Sequence, residues 1–320
     1  MQQQVKAIIR ITLALCLILI LGACSTESNE PDKSTEKEVG GNTTRMISTV
    51  VGEVEVPAHP QRVVVDWHLG QVMAVGLMPV GAPSTLTDFG AFLKPLVSDE
   101  VEDIGKDGTV SLEKILELEP DLIITWDHEA AENYSKIAPT VVYDTSNYES
   151  IHEEIAAMGD ILNRQEDAEK WLAEFDQRVA AAKEKIKGVI PDGATVTIAD
   201  YTFEKNVMII GDQGERGSKA VYKLLELTPP ARVQSDIIDK KEGRLDVSWE
   251  TVGDYIGDYL IVMKNETSGS LKLPATWTTL EPVKNNHVYE LDIKKYFNSD
   301  PLSALYQAEE IADVLVKGNQ

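Results

Sequence analysis

The side chains able to do chemistry in this 320-residue chain gather where predicted strands end. Trp67 and His68 follow the apolar run "VVVD"; Trp126, Asp127 and His128 follow "LIIT"; Tyr143 ends "VVY". Further on, Tyr201 and Phe203 follow "TIAD", Arg216 precedes the helical pattern "GSKAVY", Trp277 follows a long loop, and Tyr296 and Phe297 come after "YELD". Aromatic residues make up only 6% of the chain, so their concentration at these points is selective. In open α/β sheets, ligands bind beyond the carboxyl ends of the strands. Aromatic walls with a few polar groups there suit a bulky, amphipathic ligand recognised by its outer surface. Each aromatic also has a plainer role open to it as a cap on the core. Trp171 and Trp249, inside helical patterns, read as structural. Arg216 is the sharpest candidate, because a lone Arg among glycines at a strand-to-helix loop can point a planar fork at ligand oxygens.

Other chemistries find little support. "GDQGERGSK" lacks the Gly-Lys-Ser/Thr order of a phosphate loop, since Ser218 precedes Lys219. The five histidines, His59, His68, His128, His152 and His287, show no ligand spacing, so no direct metal ligation is expected. There is no G-x-S-x-G and no H-E-x-x-H. Carboxylates are too numerous for any acid–base pair to stand out. The reading is a binder with no catalytic residue and no cofactor, against the alternative of a tethered extracellular hydrolase.

The amino terminus sets the compartment. Lys6 and Arg10 precede the apolar run "ITLALCLILI", and "LGAC" follows at Leu21 to Cys24. This is the pattern of a secretory signal, residues 1–23, too short for a comfortable membrane span. Leu-Gly-Ala-Cys resembles the bacterial lipobox, which makes Cys24 the expected lipidation site. Residues 24–44 are polar and read as a flexible tether, with a folded body from about Arg45. Cys16 leaves with the signal, so the body has no thiol for a disulfide, a metal or a nucleophile. The formal charge is −23, and removing Lys6 and Arg10 takes it to −25, which argues against nucleic acid as a partner.

The elements that must position these residues alternate along the body. Short strands and helices fill residues 45–163, and a 24-residue helical pattern follows from Arg164 to Lys187, with Trp171, Phe175, Val179 and Ile186 on one face. Residues 164–188 form the linking segment and 189–320 restart the alternation. The expected fold is α/β: two lobes with central, mainly parallel sheets joined by a single long helix. A long helix is a poor flexible hinge, so small lobe motions are expected. One helix–strand unit is written twice, "VSLEKILELEPDLII" from Val110 and "VSWETVGDYIGDYLI" from Val247, which sets Glu113 and Glu250 at matching places. A Glu in the first turn of a helix is favourable by itself. Two at matching points, one per lobe, suggest a two-point contact.

Lipobox, lobe, long helix and lobe, together with "GQVMAVGLMPVGA", "SLEKILELEPDLII", "GERGSKAVY" and "TWTTLEPVKNNHVYELD", resemble the substrate-binding proteins of iron–siderophore and cobalamin ABC transporters. The likeness covers the whole body and is strongest to the branch that binds ferric hydroxamates. It implies a class III periplasmic-binding-protein-like fold and a monomer, lipid-anchored on the extracytoplasmic face of the cell membrane. It implies an importer permease with its ATPase as partner, docked through Glu113 and Glu250. The ligand it implies is a ferric siderophore, touched by Arg216, Trp67, His68, Trp126, Tyr201, Trp277 and Tyr296. The siderophore already saturates its iron, so the protein need not ligate the metal. Hydroxamate binders often carry a Trp two residues before the Arg, where this chain has Gly214. Ferric citrate-like chelates, haem and cobalamin remain alternative ligands.

Overall fold

The computed structural model describes residues 37–39, 42–49, 52–201, 206–213, 215–265 and 272–318. The signal, Cys24, Phe203 and Gly214 lie outside them. The body opens with an antiparallel sheet of β1 (Lys37–Val39), β2 (Asn42–Thr49) and β3 (Gly52–Pro57). Regular structure thus reaches into the segment read as tether: β2 starts before Arg45, and β1 pairs with it. Arg45 anchors this sheet. Its guanidinium donates to the carbonyls of Asp160 and Ile161, the latter at 2.6 Å, at the carboxyl end of the helix Ile151–Leu162. A cation there meets carbonyls that have no partner within the helix.

The first lobe is built on β4 (Val63–Val65), β5 (Gly81–Ala82), β6 (Glu102–Asp103), β9 (Leu122–Thr125) and β10 (Thr140–Val142), with a small hairpin of β7 (Gly105–Lys106) and β8 (Thr109–Val110). The sheet runs β10-β9-β4-β5-β6, and every pairing is parallel. Strands β4, β9 and β10 are buried throughout, which is why they read as unbroken apolar runs.

The second sheet runs β13-β12-β11-β14-β15, from β11 (Val196–Asp200), β12 (Asn206–Ile210), β13 (Arg244–Ser248), β14 (Tyr259–Lys264) and β15 (Val288–Asp292). Pairs β11/β14 and β14/β15 are parallel, whereas β11/β12 and β12/β13 are antiparallel. For β11/β12 the reason is length. Only residues 201–205 separate β11 from β12, and a parallel crossover needs about a dozen residues or more.

The connecting helix Gln165–Ile186 buries Ala168, Phe175, Ala182 and Ile186. It is not the only link between the lobes. The closing helix Pro301–Gly318 packs on it and also on the helix Leu69–Ala74 of the first lobe. Arg178 of the connecting helix donates to both carboxylate oxygens of Glu309 at 2.8 and 2.7 Å and lies over the Tyr306 ring. One apolar cluster runs through both lobes, from Val63, Leu69 and Val72 to Ile198, Ile261 and Leu305. Wide opening would expose part of it, at about 25 cal/mol per Å² of apolar surface.

Candidate functional site

In the first lobe, the ends of β4 and β9 carry the groove wall. Asp66 follows β4 and is 5% exposed. Its carboxylate accepts from Thr125 Oγ1 and, at 3.4 Å, from the Trp126 N–H. Burial outweighs these bonds and pushes the Asp66 carboxyl up to about 6. Trp126, after β9, is 49% exposed, which is unusual for so large a ring. Asp127 caps the helix His128–Tyr134 by accepting from Glu129 N and Ala130 N at 2.7 and 3.1 Å. With Asp107, Val110 and Leu112 these residues enclose a pocket of aromatic, aliphatic and carboxylate surface.

In the second lobe, Arg216 sits in the loop after β12 with φ of 69°, a left-handed conformation that costs a non-glycine residue on the order of 1–3 kcal/mol. Two carboxylates hold it: Nε donates to Asp200 Oδ2 at 2.6 Å and Nη1 to Glu215 Oε2 at 3.2 Å. Asp200 ends β11 and is fully buried. A second pocket forms around Arg216 with Glu215, Glu242, Arg244 and Asp246. Burial pushes the Glu215 carboxyl up against the pull of Arg216 and Arg244, and Asp107 of the first lobe adds to that push. Arg244 and Asp246 were not singled out from the sequence. The alternation of β13 carries their signal, since Leu245 and Val247 turn inward while Arg244 and Asp246 are exposed.

The other expected contacts divide. Trp67 is half-buried and lines a third space, between the lobes, with His68, Lys219 and Asp300. His68 itself is 2% exposed. Its Nε2 lies 2.7 Å from the Tyr143 carbonyl, so Nε2 carries the proton, and burial lowers its pKa to about 4. Tyr201 is 2% exposed and packs its ring 5.4 Å from that of Trp277. Trp249 joins them at 6.4 Å from each, in a turn after β13 rather than in the helix expected for it. Trp277 is half-buried, in the short helix Ala275–Thr279. Tyr296 is wholly buried, edge-on to Phe92 of the first lobe. Among the described residues no three His, Cys, Asp or Glu side chains converge as a metal site.

The twin glutamates are both exposed, but their settings differ. Ser111 caps the helix Leu112–Glu117 by accepting from Lys114 N at 3.3 Å, with Glu113 in its first turn. Around Glu250 the expected α-helix is replaced by the end of β13, a turn and the 3₁₀ helix Val252–Tyr255. Pairing of Val247 with Val207 draws this segment into the sheet. A hydrogen bond from Ser248 holds the Glu250 carboxyl below its usual range.

Residues 79–294 match the periplasmic binding protein family. The chain is 32% identical to the iron(3+)-hydroxamate-binding protein YxeB of Bacillus subtilis (strain 168), over 98% of this chain and 97% of that one. A FhuD fold-family structure from Bacillus subtilis, a periplasmic binding protein component of a Fep/Fec-like ferrichrome ABC transporter, superposes with a TM-score of 0.75. It shares 33% identity, over 85% of this chain and 100% of its own. FhuD2 of Staphylococcus aureus with bound ferrioxamine B superposes with a TM-score of 0.69 at 26% identity, over 82% of this chain and 100% of its own. The chain thus belongs to the periplasmic binding protein family, whose members are binding proteins and not enzymes.

Proposed function

We propose that the protein is the solute-binding component of an ABC importer and captures a ferric hydroxamate siderophore in the groove between its lobes. The observation that carries this reading is Arg216. Arg216 is 7% exposed, but unlike the buried aromatics it lines a pocket, that of the second lobe, from a loop in the left-handed conformation and with bonds to Asp200 and Glu215. The chain around it is similar along nearly its whole length to a hydroxamate-binding relative. The guanidinium recognises the hydroxamate oxygens on the outer face of the chelate, and the metal stays within its own ligand. Trp126 and Trp67 form the apolar wall. Trp277 packs with Tyr201 and Trp249 in the second lobe, and the buried side chains of His68, Tyr201 and Tyr296 play a structural part rather than touch the ligand.

The charge of the lining selects among chelates. Asp66, Asp107 and Asp127 face the groove from one pocket and Glu215, Glu242 and Asp246 from the other, against Arg216 and Arg244. A neutral or cationic hydroxamate complex suits such a groove; a trianionic catecholate is repelled. Outside the groove, Glu113 and Glu250 are the docking points for the permease, and lipid on Cys24 holds a monomer on the outer face of the membrane. Among the described residues no helix is long and apolar enough to cross a membrane.

The test is a titration of ferrioxamine B into the wild type, Arg216→Ala and Arg216→Lys. Loss of a charge-assisted bond costs about 1.5–3 kcal/mol, a fall in affinity on the order of ten- to a hundredfold. Arg216→Lys keeps a cation beside Asp200 but loses the planar fork, so it too binds more weakly. Wild-type affinity in both folded variants removes Arg216 from the site.

A further inference from the structure

The loop that carries Arg216 is tied to the opposite lobe three residues further on. Lys219 opens the wide-turn helix Lys219–Leu224, in which Leu225 N reaches back to Ala220 O at 2.9 Å. Its Nζ lies 2.8 Å from Glu154 Oε1, in the first-lobe helix Ile151–Leu162. Glu154 is 4% exposed, so this is not a solvated surface pair. Its place is set from behind, where Tyr143 Oη donates to the Glu154 carbonyl at 2.7 Å and the Tyr143 carbonyl meets His68 at 2.7 Å.

Between Arg216 and Lys219 the chain has little freedom. Gly217 has φ of 74°, and a Cβ there would stand 2.9 Å from the buried Tyr296 ring, so only glycine fits. Ser218 is fully buried. A second carboxylate also feels Lys219. Asp300 accepts from Ser303 N at 2.9 Å at the start of the closing helix and lies against Gly70 of the first lobe. A mostly buried ion pair contributes little net stability, because desolvation offsets the attraction; what it can supply is one defined arrangement of the groups it joins.

We propose that the Glu154–Lys219 ion pair positions the ligand site: it fixes the loop bearing Arg216, and so the guanidinium, relative to the first-lobe wall. This rests on Arg216 being a ligand contact. Lys219 and Glu154 are positioning residues and need not touch the ligand.

The experiment is a double-mutant cycle. Ferrioxamine B is titrated into Glu154→Gln and Lys219→Gln, each alone and combined with Arg216→Ala, with thermal melts to confirm folding. Each single variant is expected to bind roughly three- to tenfold more weakly, the scale of coupling between residues in one network. In the Arg216→Ala background the same substitutions have no further effect, and Lys219→Arg, which keeps the pair, retains affinity. Unchanged affinity in the folded single variants overturns the proposal. So does an equal loss with and without Arg216, which marks a merely structural role. If Arg216→Ala alone binds normally, the contact reading fails first and the positioning inference falls with it, an outcome separate from the other two.

Discussion

Replacing Asp66 by Asn should stabilise the protein at neutral pH and leave it little changed in acid. Asp66 is 5% exposed, and its hydrogen bonds do not offset the desolvation of its charge, so burial raises its pKa from 3.8 to about 6. A carboxyl raised in the fold favours the native state while protonated. That stability is present below pH 3.8 and is lost as pH rises through about 6. A rise of about two units at 1.36 kcal/mol each is about 3 kcal/mol in all, of which about 2 falls between pH 4.5 and 8. His68 works in the opposite sense. Its pKa is lowered to about 4, so its stability is present above 6.5 and lost as pH falls through 4. The wild-type profile therefore mixes two opposed contributions. The difference between wild type and Asp66→Asn isolates the first, because His68 is common to both. Urea unfolding of the two proteins across pH 4.5 to 8 is the assay. The advantage of the variant should grow with pH by about 2 kcal/mol. A difference that is flat, or that shrinks as pH rises, refutes the claim that Asp66 carries an uncompensated buried charge.

The amino terminus and the surface glutamates give two further expected outcomes. Cys24→Ala should release the protein from the membrane or leave it unprocessed, and a variant that stays membrane-bound at mature size on fractionation contradicts the lipid anchor. Glu113→Ala combined with Glu250→Ala should bind ferrioxamine B normally in solution yet take up iron poorly in cells; normal uptake would reduce both to ordinary surface charges.

Much of the architecture lies in patterns a single sequence displays. Apolar residues at steps near four and seven mark the connecting helix, and the unbroken runs "VVV", "LIIT" and "VVY" mark strands of a doubly covered sheet. The twin motif is a less faithful guide. "VSLEKILELE" forms a capped helix, whereas "VSWETVGDYI" does not, because the inward Leu245 and Val247 pair β13 with β12 and Gly253 interrupts the helical pattern beyond them. The antiparallel β11/β12 pairing is legible in principle from the short gap between "TVTIAD" and "NVMII"; the β12/β13 pairing, across residues 211–243, is not. Depth is not. His68, Trp126, Tyr201 and Tyr296 all sit near strand ends, yet Trp126 is half exposed and the other three are buried. Which of them meets solvent depends on side chains distant in sequence: Trp249 and Trp277 cover Tyr201, Tyr143 packs on His68, and Phe92 of the first lobe meets Tyr296. The Glu154–Lys219 pair, 65 residues apart and across the lobes, leaves no local trace at all.

Intrinsic tryptophan fluorescence tests the central claim most directly, because Trp67 and Trp126 line the proposed groove. The purified mature protein is titrated with ferrioxamine B, a ferric tricatecholate, ferric citrate, haem and cobalamin. Saturable one-to-one quenching by ferrioxamine B, weakened by Arg216→Lys, with none by the tricatecholate, is the predicted result. Saturation by citrate, haem or cobalamin with no response to ferric hydroxamates would contradict the account.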